Sequence, residues 1–373
     1  MDIVLLLGAL ALILFGAELF TNGIEWFGHK LNLAEGAVGS VLAAVATAMP
    51  ETLIPIIAIL GPVLVGASGE AATGSHEIGV GAILGAPFML ATLAMFVTGL
   101  AVVIFARRGG RSTEMQINVE VLGRDVIFFI VAYGLAIGVA FLPVELHQVK
   151  WLVAAGLFVL YAFYVRAHFA DEAMESDADE LNRLHLTRLP GLRPPVPAVD
   201  FAVLPGDADD PPRATPRMRI IVSQVLLALA AIIVGAQVFI GAVTHLSTVI
   251  GLDPRILALI IAPIATELPE KFNSVIWVRS GKDTLAMGNI TGAMVFQSCV
   301  PVVIGLLFTD WLFSPQFALS FASAGAAFLS TFLIFGTMLR RGHLSAWSLL
   351  IGGPIYAVYT VAALVLPVPV VGH

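Results

Sequence analysis

Two stretches of this chain carry the same chemically useful residues at the same spacing. Ala46-Thr47-Ala48-Met49-Pro50-Glu51 and Ala265-Thr266-Glu267-Leu268-Pro269-Glu270 each place a hydroxyl one helical turn before a carboxylate that directly follows a proline. Two carboxylates brought together neutralise one divalent cation. A hard cation such as Ca2+ takes roughly 6 to 8 oxygen ligands, which the Thr47 and Thr266 hydroxyls, backbone carbonyls and water complete. Glu51 and Glu270 both lie in long apolar runs, where an ionised side chain costs roughly 2.5 to 3.5 kcal/mol on insertion scales and marks a pathway or a paired site. The plain alternative is that each Glu snorkels, or pairs with Lys271. Such an accident should not recur at the same phase in both stretches.

Glu267 stands three residues before Glu270, on the same helix face if the turn survives Pro269. The first stretch has Ala48 at that place. Two carboxylates this close repel, which makes a proton a candidate ligand or counter-ion; pairing with Lys271 is the structural alternative. Asn289 and Gln297 interrupt an otherwise apolar run and offer amide oxygens, or serve as helix-to-helix glue worth about 1 kcal/mol. Glu18, Asn22, Glu25, Gln237 and His245 are expected at a gate or vestibule, where solvation explains them equally well. The acidic run from Asp171 to Glu180 lacks a glycine turn and ordered ligand spacing, so it reads as a solvated loop and not as a Ca2+ loop.

These residues need elements that hold them inside lipid. Of the 373 residues, 58% are hydrophobic and 12% charged, and mean hydropathy is +0.95; soluble domains carry about 25% charged residues. Ten spanning helices are expected near 3–26, 34–60, 77–106, 122–142, 149–166, 218–247, 254–278, 284–308, 314–338 and 344–367. Met1-Asp2-Ile3 brings no basic n-region, so the first span is expected to be retained. Between the fifth and sixth spans lies a proline-rich, acidic segment that reads as a cytoplasmic linker. Three parts follow: a first five-helix unit over 1–166, the linker over 167–217 and a second five-helix unit over 218–373. Of 19 Lys and Arg, Lys150 and Arg255 stand alone on one side and Lys271 lies in the seventh span. The other sixteen (19 − 3) collect on the linker side, which places that side in the cytoplasm and both termini outside it. A net charge of -7 and the scatter of basic residues argue against nucleic acid. Cys299 is the single cysteine, which excludes an intrachain disulfide and a cysteine metal site.

The chain repeats internally. Gly16-Ala17-Glu18-Leu19-Phe20 aligns with Gly235-Ala236-Gln237-Val238-Phe239 (235 − 16 = 219), and both Thr-x-x-Pro-Glu stretches keep that offset. Further on, Gly81-Ala82-Ile83-Leu84-Gly85-Ala86 aligns with Gly288-Asn289-Ile290-Thr291-Gly292-Ala293 (288 − 81 = 207). Five spans per half force the copies into opposite orientations, the inverted repeat of many secondary transporters, whose ion sites lie near the midplane where interrupted helices meet. Pro50 and Pro55 are expected to break the second span, and Pro263 and Pro269 the seventh.

These motifs resemble those of the cation/calcium exchanger superfamily. Its two alpha repeats carry Gly-Thr-Ser-x-Pro-Glu and then Gly-Asn-x-x-Gly-Ser-Asn-x-x-Asn or Asp. The likeness covers spans one to three and six to eight, including Gly16-Ala17-Glu18-Leu19-Phe20-Thr21-Asn22-Gly23. It implies an all-α membrane protein of about ten helices in two inverted five-helix repeats, with broken second and seventh helices. It also implies central ion ligation by Glu51 and Glu270, with oxygens from Thr47 and Thr266. The chain departs from the pattern at Ala82, Ala86, Leu90 and Ala293, which replace polar residues, and at Gln297 in place of the final Asn or Asp.

The resulting expectation is an antiporter of a prokaryotic plasma membrane that exchanges Ca2+ or a related cation for Na+ by alternating access. H+ coupling through Glu267 is the runner-up. An intramembrane metal-dependent enzyme would want Asp-rich diphosphate sites, which the spans lack, and occluded midplane acids favour alternating access over a channel. The expected partners are lipid and inorganic cations. No cofactor, nucleic acid or protein partner is implied.

Overall fold

A chain this apolar needs lipid around it, and inside hydrocarbon a helix satisfies every backbone amide locally. The computed structural model describes residues 2–30, 45, 48–64, 70–109, 111–170, 184–188, 216–251, 274–275, 277–279 and 281–365. Its main helices are α1 (Asp2–Lys30), α2 (Met49–Leu64), α3 (Glu70–Met89), α4 (Met95–Arg107), α5 (Val119–Ala140), α6 (Val149–Ala170), α7 (Met218–Ile250), α8 (Asp283–Phe308), α9 (Ala318–Arg341), the single turn α10 (Ala346–Leu349) and α11 (Gly352–Val365). A π turn at Leu90–Ala94 joins α3 to α4.

Eight stretches among the described residues are long and apolar enough to cross a membrane: Ile3–Ile24, Ser75–Arg107, Val119–Ala140, Val149–His168, Met218–Val249, Asp283–Phe308, Ala318–Arg341 and Ala346–Val365. Each falls on an expected span. The spans expected near 34–60 and 254–278 lie largely outside the described residues, apart from α2. That helix begins at Met49 and holds Pro55 and Pro62 inside it. Pro50 thus occupies its first turn, where a missing N–H costs nothing. Pro55, expected to break the span, is carried within a continuous helix.

The inverted repeat is visible in packing. α1 and α7 form the most extensive helix pair of the described structure, and glycines let them approach. A Cβ on Gly16 would lie 2.8 Å from Ile232 Cγ1 and 3.1 Å from the Ala228 carbonyl oxygen; one on Gly235 would lie 2.7 Å from Ile13 Cγ1 and 3.1 Å from the Ala9 carbonyl oxygen. Every residue in one contact maps onto its counterpart in the other by the same offset (232 − 13 = 219, 228 − 9 = 219), so a twofold relation passes through this crossing.

α8 is the most buried span and packs on α2, α3, α5 and α6. The loops that the charge pattern put on the linker side meet one another. β1 (Glu114–Met115) pairs antiparallel with β2 (Leu344–Ser345), with Glu114 opposite Ser345 and Met115 opposite Leu344. Arg111 Nη1 donates to Asp283 Oδ1 at 2.7 Å at the start of α8, so this loop charge is tied to that helix. On the opposite side, Lys150 Nζ donates to the Thr309 carbonyl oxygen at 2.9 Å. The linker also departs from a purely solvated segment. Leu184 is buried against Trp26 and Ile221, and the His185 N–H donates to Asn22 Oδ1 at 3.1 Å. Asn22, expected at a gate, accepts both this bond and one from Gln224 Nε2 at 3.0 Å.

Candidate ion-binding site

Glu51 sits in the first turn of α2 and is 5% exposed. The unsatisfied amides of a helix N-terminus carry partial positive charge, which favours a carboxylate there. Thr52 closes this turn, its Oγ1 donating to the Ala48 carbonyl oxygen at 2.7 Å. Pro55 brings no N–H to the Glu51 carbonyl in the helix ladder, so this residue offers a backbone oxygen as well as its carboxylate. α2 packs on α3, α7 and α8, which puts Glu51 in the same helix set as the amide residues of α8.

Asn289 and Gln297 are each 1% exposed, so neither is a lipid-facing polar residue. Pro301 stands four residues after Gln297 inside α8 and supplies no N–H to its carbonyl, as Pro55 does for Glu51. The first half interrupts its ladder at the same repeat position by other means, because the π turn Leu90–Ala94 maps onto Gln297–Pro301 (297 − 90 = 207, 301 − 94 = 207). π turns cluster at functional sites. The Ala91 carbonyl in this turn accepts Ser330 Oγ at 2.6 Å. Ala86, Leu90 and Ala293 are buried at 3%, 0% and 1% exposure; the core helices therefore present apolar surface where the superfamily pattern has oxygens. Thr47, Thr266, Glu267 and Glu270 lie outside the described residues.

A cavity of about 370 Å³ opens at the ends of α3 and α8 away from the linker, lined among others by His76, Glu77, Asp310 and Trp311. It lies on the side opposite the linker, and its lining is mixed, with Val80, Phe317 and Phe321 beside the polar groups. Among the described residues no cluster of three or more His, Cys, Asp or Glu is arranged to hold a metal.

One polar group escaped the sequence reading. Asp125 on α5 is fully buried. Its Oδ2 accepts Thr291 Oγ1 from α8 at 2.6 Å, and its Oδ1 accepts Tyr164 Oη from α6 at 3.1 Å. His168 Nε2 lies 3.2 Å from the same Oδ1, at ion-pair distance but off the line of a hydrogen bond. The available signal was an acid inside the expected span 122–142 and a His two residues past the span ending at 166.

Fold and site define an all-α membrane transporter built from two inverted repeats. The chain belongs to the sodium/calcium exchanger protein family, whose model matches residues 1–169 and 220–365, and it is a membrane antiporter of that family. It is 24% identical over 305 residues, 82% of this chain and 80% of the other, to the provisionally named antiporter CaxA of Alkalimonas amylolytica. It is 20% identical over 303 residues, 80% of this chain and 79% of the other, to the membrane protein MJ0091 of Methanocaldococcus jannaschii. In fold it is similar to the crystal structure of the H+/Ca2+ exchanger CAX, with TM-score 0.71 and 14% identity over 98% of this chain and 82% of that one. It is also similar to the sodium-calcium exchanger NCX_Mj, with TM-score 0.56 and 16% identity over 98% of both chains.

Proposed function

We propose that this antiporter exchanges Ca2+, or a cation of similar size and charge, for Na+ by alternating access, with Glu51 and Glu270 as the central ligands. The observation that supports this most is Glu51 itself: a carboxylate buried at the start of a membrane helix, whose repeat counterpart is also a carboxylate after a proline. Asn289 and Gln297 supply amide oxygens from α8, and Thr47 and Thr266 supply hydroxyls one turn before each Glu. The two ligand sets belong to the five-helix units 1–166 and 218–373, joined by the 167–217 linker. In this reading the chain lies in a prokaryotic plasma membrane with both termini outside the cytoplasm.

A second reading replaces Na+ by H+. It is favoured by the burial of Ala86, Leu90 and Ala293, because several Na+ sites need many neutral oxygens whereas a proton needs one acceptor. One of the fold relatives is an H+/Ca2+ exchanger. The carboxylate added by Glu267 would supply the acceptor.

The test is Ca2+ flux in proteoliposomes against opposing Na+ or H+ gradients. Glu51→Gln and Glu270→Gln should each abolish flux while leaving folded protein in the membrane, since each removes half the charge that offsets a divalent ion. Wild-type flux in either variant removes that residue from the site.

A further inference from the structure

The fully buried Asp125 and its neighbours are not among the ligands proposed above, and ionisable groups inside a membrane segment mark function by default. The hydrogen bonding around them is restrictive. His168 Nδ1 lies 3.1 Å from the Tyr164 carbonyl oxygen, and a carbonyl only accepts, so Nδ1 must carry a hydrogen. The neutral ring then has a bare Nε2, which faces Asp125 Oδ1 at 3.2 Å. A bare nitrogen and a carboxylate are both acceptors. The unfavourable contact is relieved when the pair takes up one proton, as imidazolium beside carboxylate or as imidazole beside carboxylic acid.

Thr291 carries the state of that proton into α8. Its hydroxyl has one hydrogen and two good acceptors, Asp125 Oδ2 at 2.6 Å and the Met287 carbonyl oxygen at 3.1 Å. When Asp125 is ionised, Thr291 donates to it. When the proton sits on Oδ2, the carboxyl donates to Thr291 and the hydroxyl turns back to Met287. Thr291 is two residues from Asn289. The other groups around the pair are few. α5 contributes Arg124, whose Nη1 donates to the Ala167 carbonyl oxygen at 3.5 Å. α6 contributes Tyr164 and Tyr161. On α8 the acid nearest the linker side, Asp283, is engaged by Arg111. α9, packed on the far side of α5, bears only Arg340 and Arg341, both exposed at its end.

We propose that Asp125 and His168 form a one-proton binding site on the linker side of the membrane, coupled through the Thr291 hydroxyl to the helix that carries Asn289 and Gln297. Its ligand is H+ itself, and its occupancy biases α8 between two hydrogen-bonded arrangements. The site stands apart from Glu51, Glu267 and Glu270, and only the flux measurement below rests on the antiport reading.

The experiment has two measurements. Infrared pH-difference spectra of the full chain in lipid, recorded without Ca2+ or Na+, should show an imidazole signal across about pH 5 to 8, where histidine changes charge, with a coupled change in a carboxyl band. Asp125→Asn and His168→Gln should abolish it, whereas Glu120→Gln, exposed on the same helix, should leave it intact. In proteoliposomes, wild-type flux should change about 5-fold or more as linker-side pH crosses that window, the scale of an ordinary coupling between sites. Asp125→Asn, His168→Gln and Thr291→Val should reduce the change to below about 2-fold. Absence of the signal in wild type, which needs no variant to fold, overturns the proposal, as does its persistence in Asp125→Asn. An unchanged flux profile in all three variants overturns the coupling. A signal lost as expected in a chain that shows no antiport upholds the proton site and removes the antiport reading alone.

Discussion

Replacing Arg111 by Ala should destabilise the protein more than replacing its partner. Asp283 is 1% exposed and Arg111 12% exposed. The guanidinium binds both carboxylate oxygens, with Nη1–Oδ1 at 2.7 Å, and Nη1 also donates to the Val278 carbonyl oxygen at 2.7 Å. Removing one partner of a buried ion pair costs about 3 to 5 kcal/mol, because the other charge is left uncompensated. Two features lower that figure for Arg111→Ala. Asp283 keeps the Gln116 N–H at 2.8 Å, and its place in the first turn of α8 gives it up to about 1 kcal/mol from the helix dipole. The expected loss is then about 3 kcal/mol, two decades in the folding equilibrium. Asp283→Asn leaves a guanidinium that reaches water and still binds Val278, so about 1.5 kcal/mol is expected. The double variant should fall short of the sum by about 1 kcal/mol or more. Reversible unfolding in mixed detergent micelles reads all three. A loss below about 1 kcal/mol for Arg111→Ala, or strict additivity in the double variant, would refute the reasoning and leave this a solvent-screened pair.

Gly16→Ala and Gly235→Ala should each destabilise by about 1 to 3 kcal/mol through overpacking, and by similar amounts because their surroundings are equivalent; a neutral effect at either would break the twofold relation at the α1–α7 crossing. Glu267→Gln should flatten the pH profile of flux and weaken divalent binding, and Glu267→Ser should shift dependence toward Na+; unchanged pH profile and ion preference in both would leave Glu267 a structural partner, for instance of Lys271. Accessibility tags should find both termini outside the cytoplasm and the 167–217 linker inside it, and opposite labelling of either terminus would overturn the assigned topology.

What could be read in the sequence, and what could not, follows the repeat. A hydrophobic stretch reports a helix directly, and a residue that returns at a fixed offset reports a constraint shared by both halves. The described spans and the equivalence of Gly16 with Gly235 were legible on those grounds; the crossing of α1 and α7 at these glycines was not. The π turn at Leu90–Ala94 was not, since no residue type encodes it and it forms where Ser330 supplies the displaced carbonyl with a partner. The docking of Leu184 and His185 on α1 and α7 was hidden for a related reason: a few apolar residues inside a charged, proline-rich segment gain their meaning only from Trp26, Ile221 and Asn22 in space. Asp125 was passed over because it has no echo.

That absence has its own logic. Thr291 faces Leu84 in the repeat alignment (291 − 84 = 207) and Asn289 faces Ala82 (289 − 82 = 207). Likewise Asn22 faces Gly241 (241 − 22 = 219) and Gln224 faces Leu5 (224 − 5 = 219). None of these four polar residues thus has a polar counterpart in the other half, although the networks they form on the linker side join both halves. A perfectly symmetric inverted repeat would give its inward-open and outward-open states equal free energy and the same response to ions on either side. Exchange with a preferred direction or a one-sided control requires groups that differ between the halves. In the proposed reading the shared carboxylates bind the cation, and the unshared groups, Asp125, His168 and Thr291 on α5, α6 and α8 with Asn22 and Gln224 at the α1–α7 crossing, are where the antiporter's two faces become physically different.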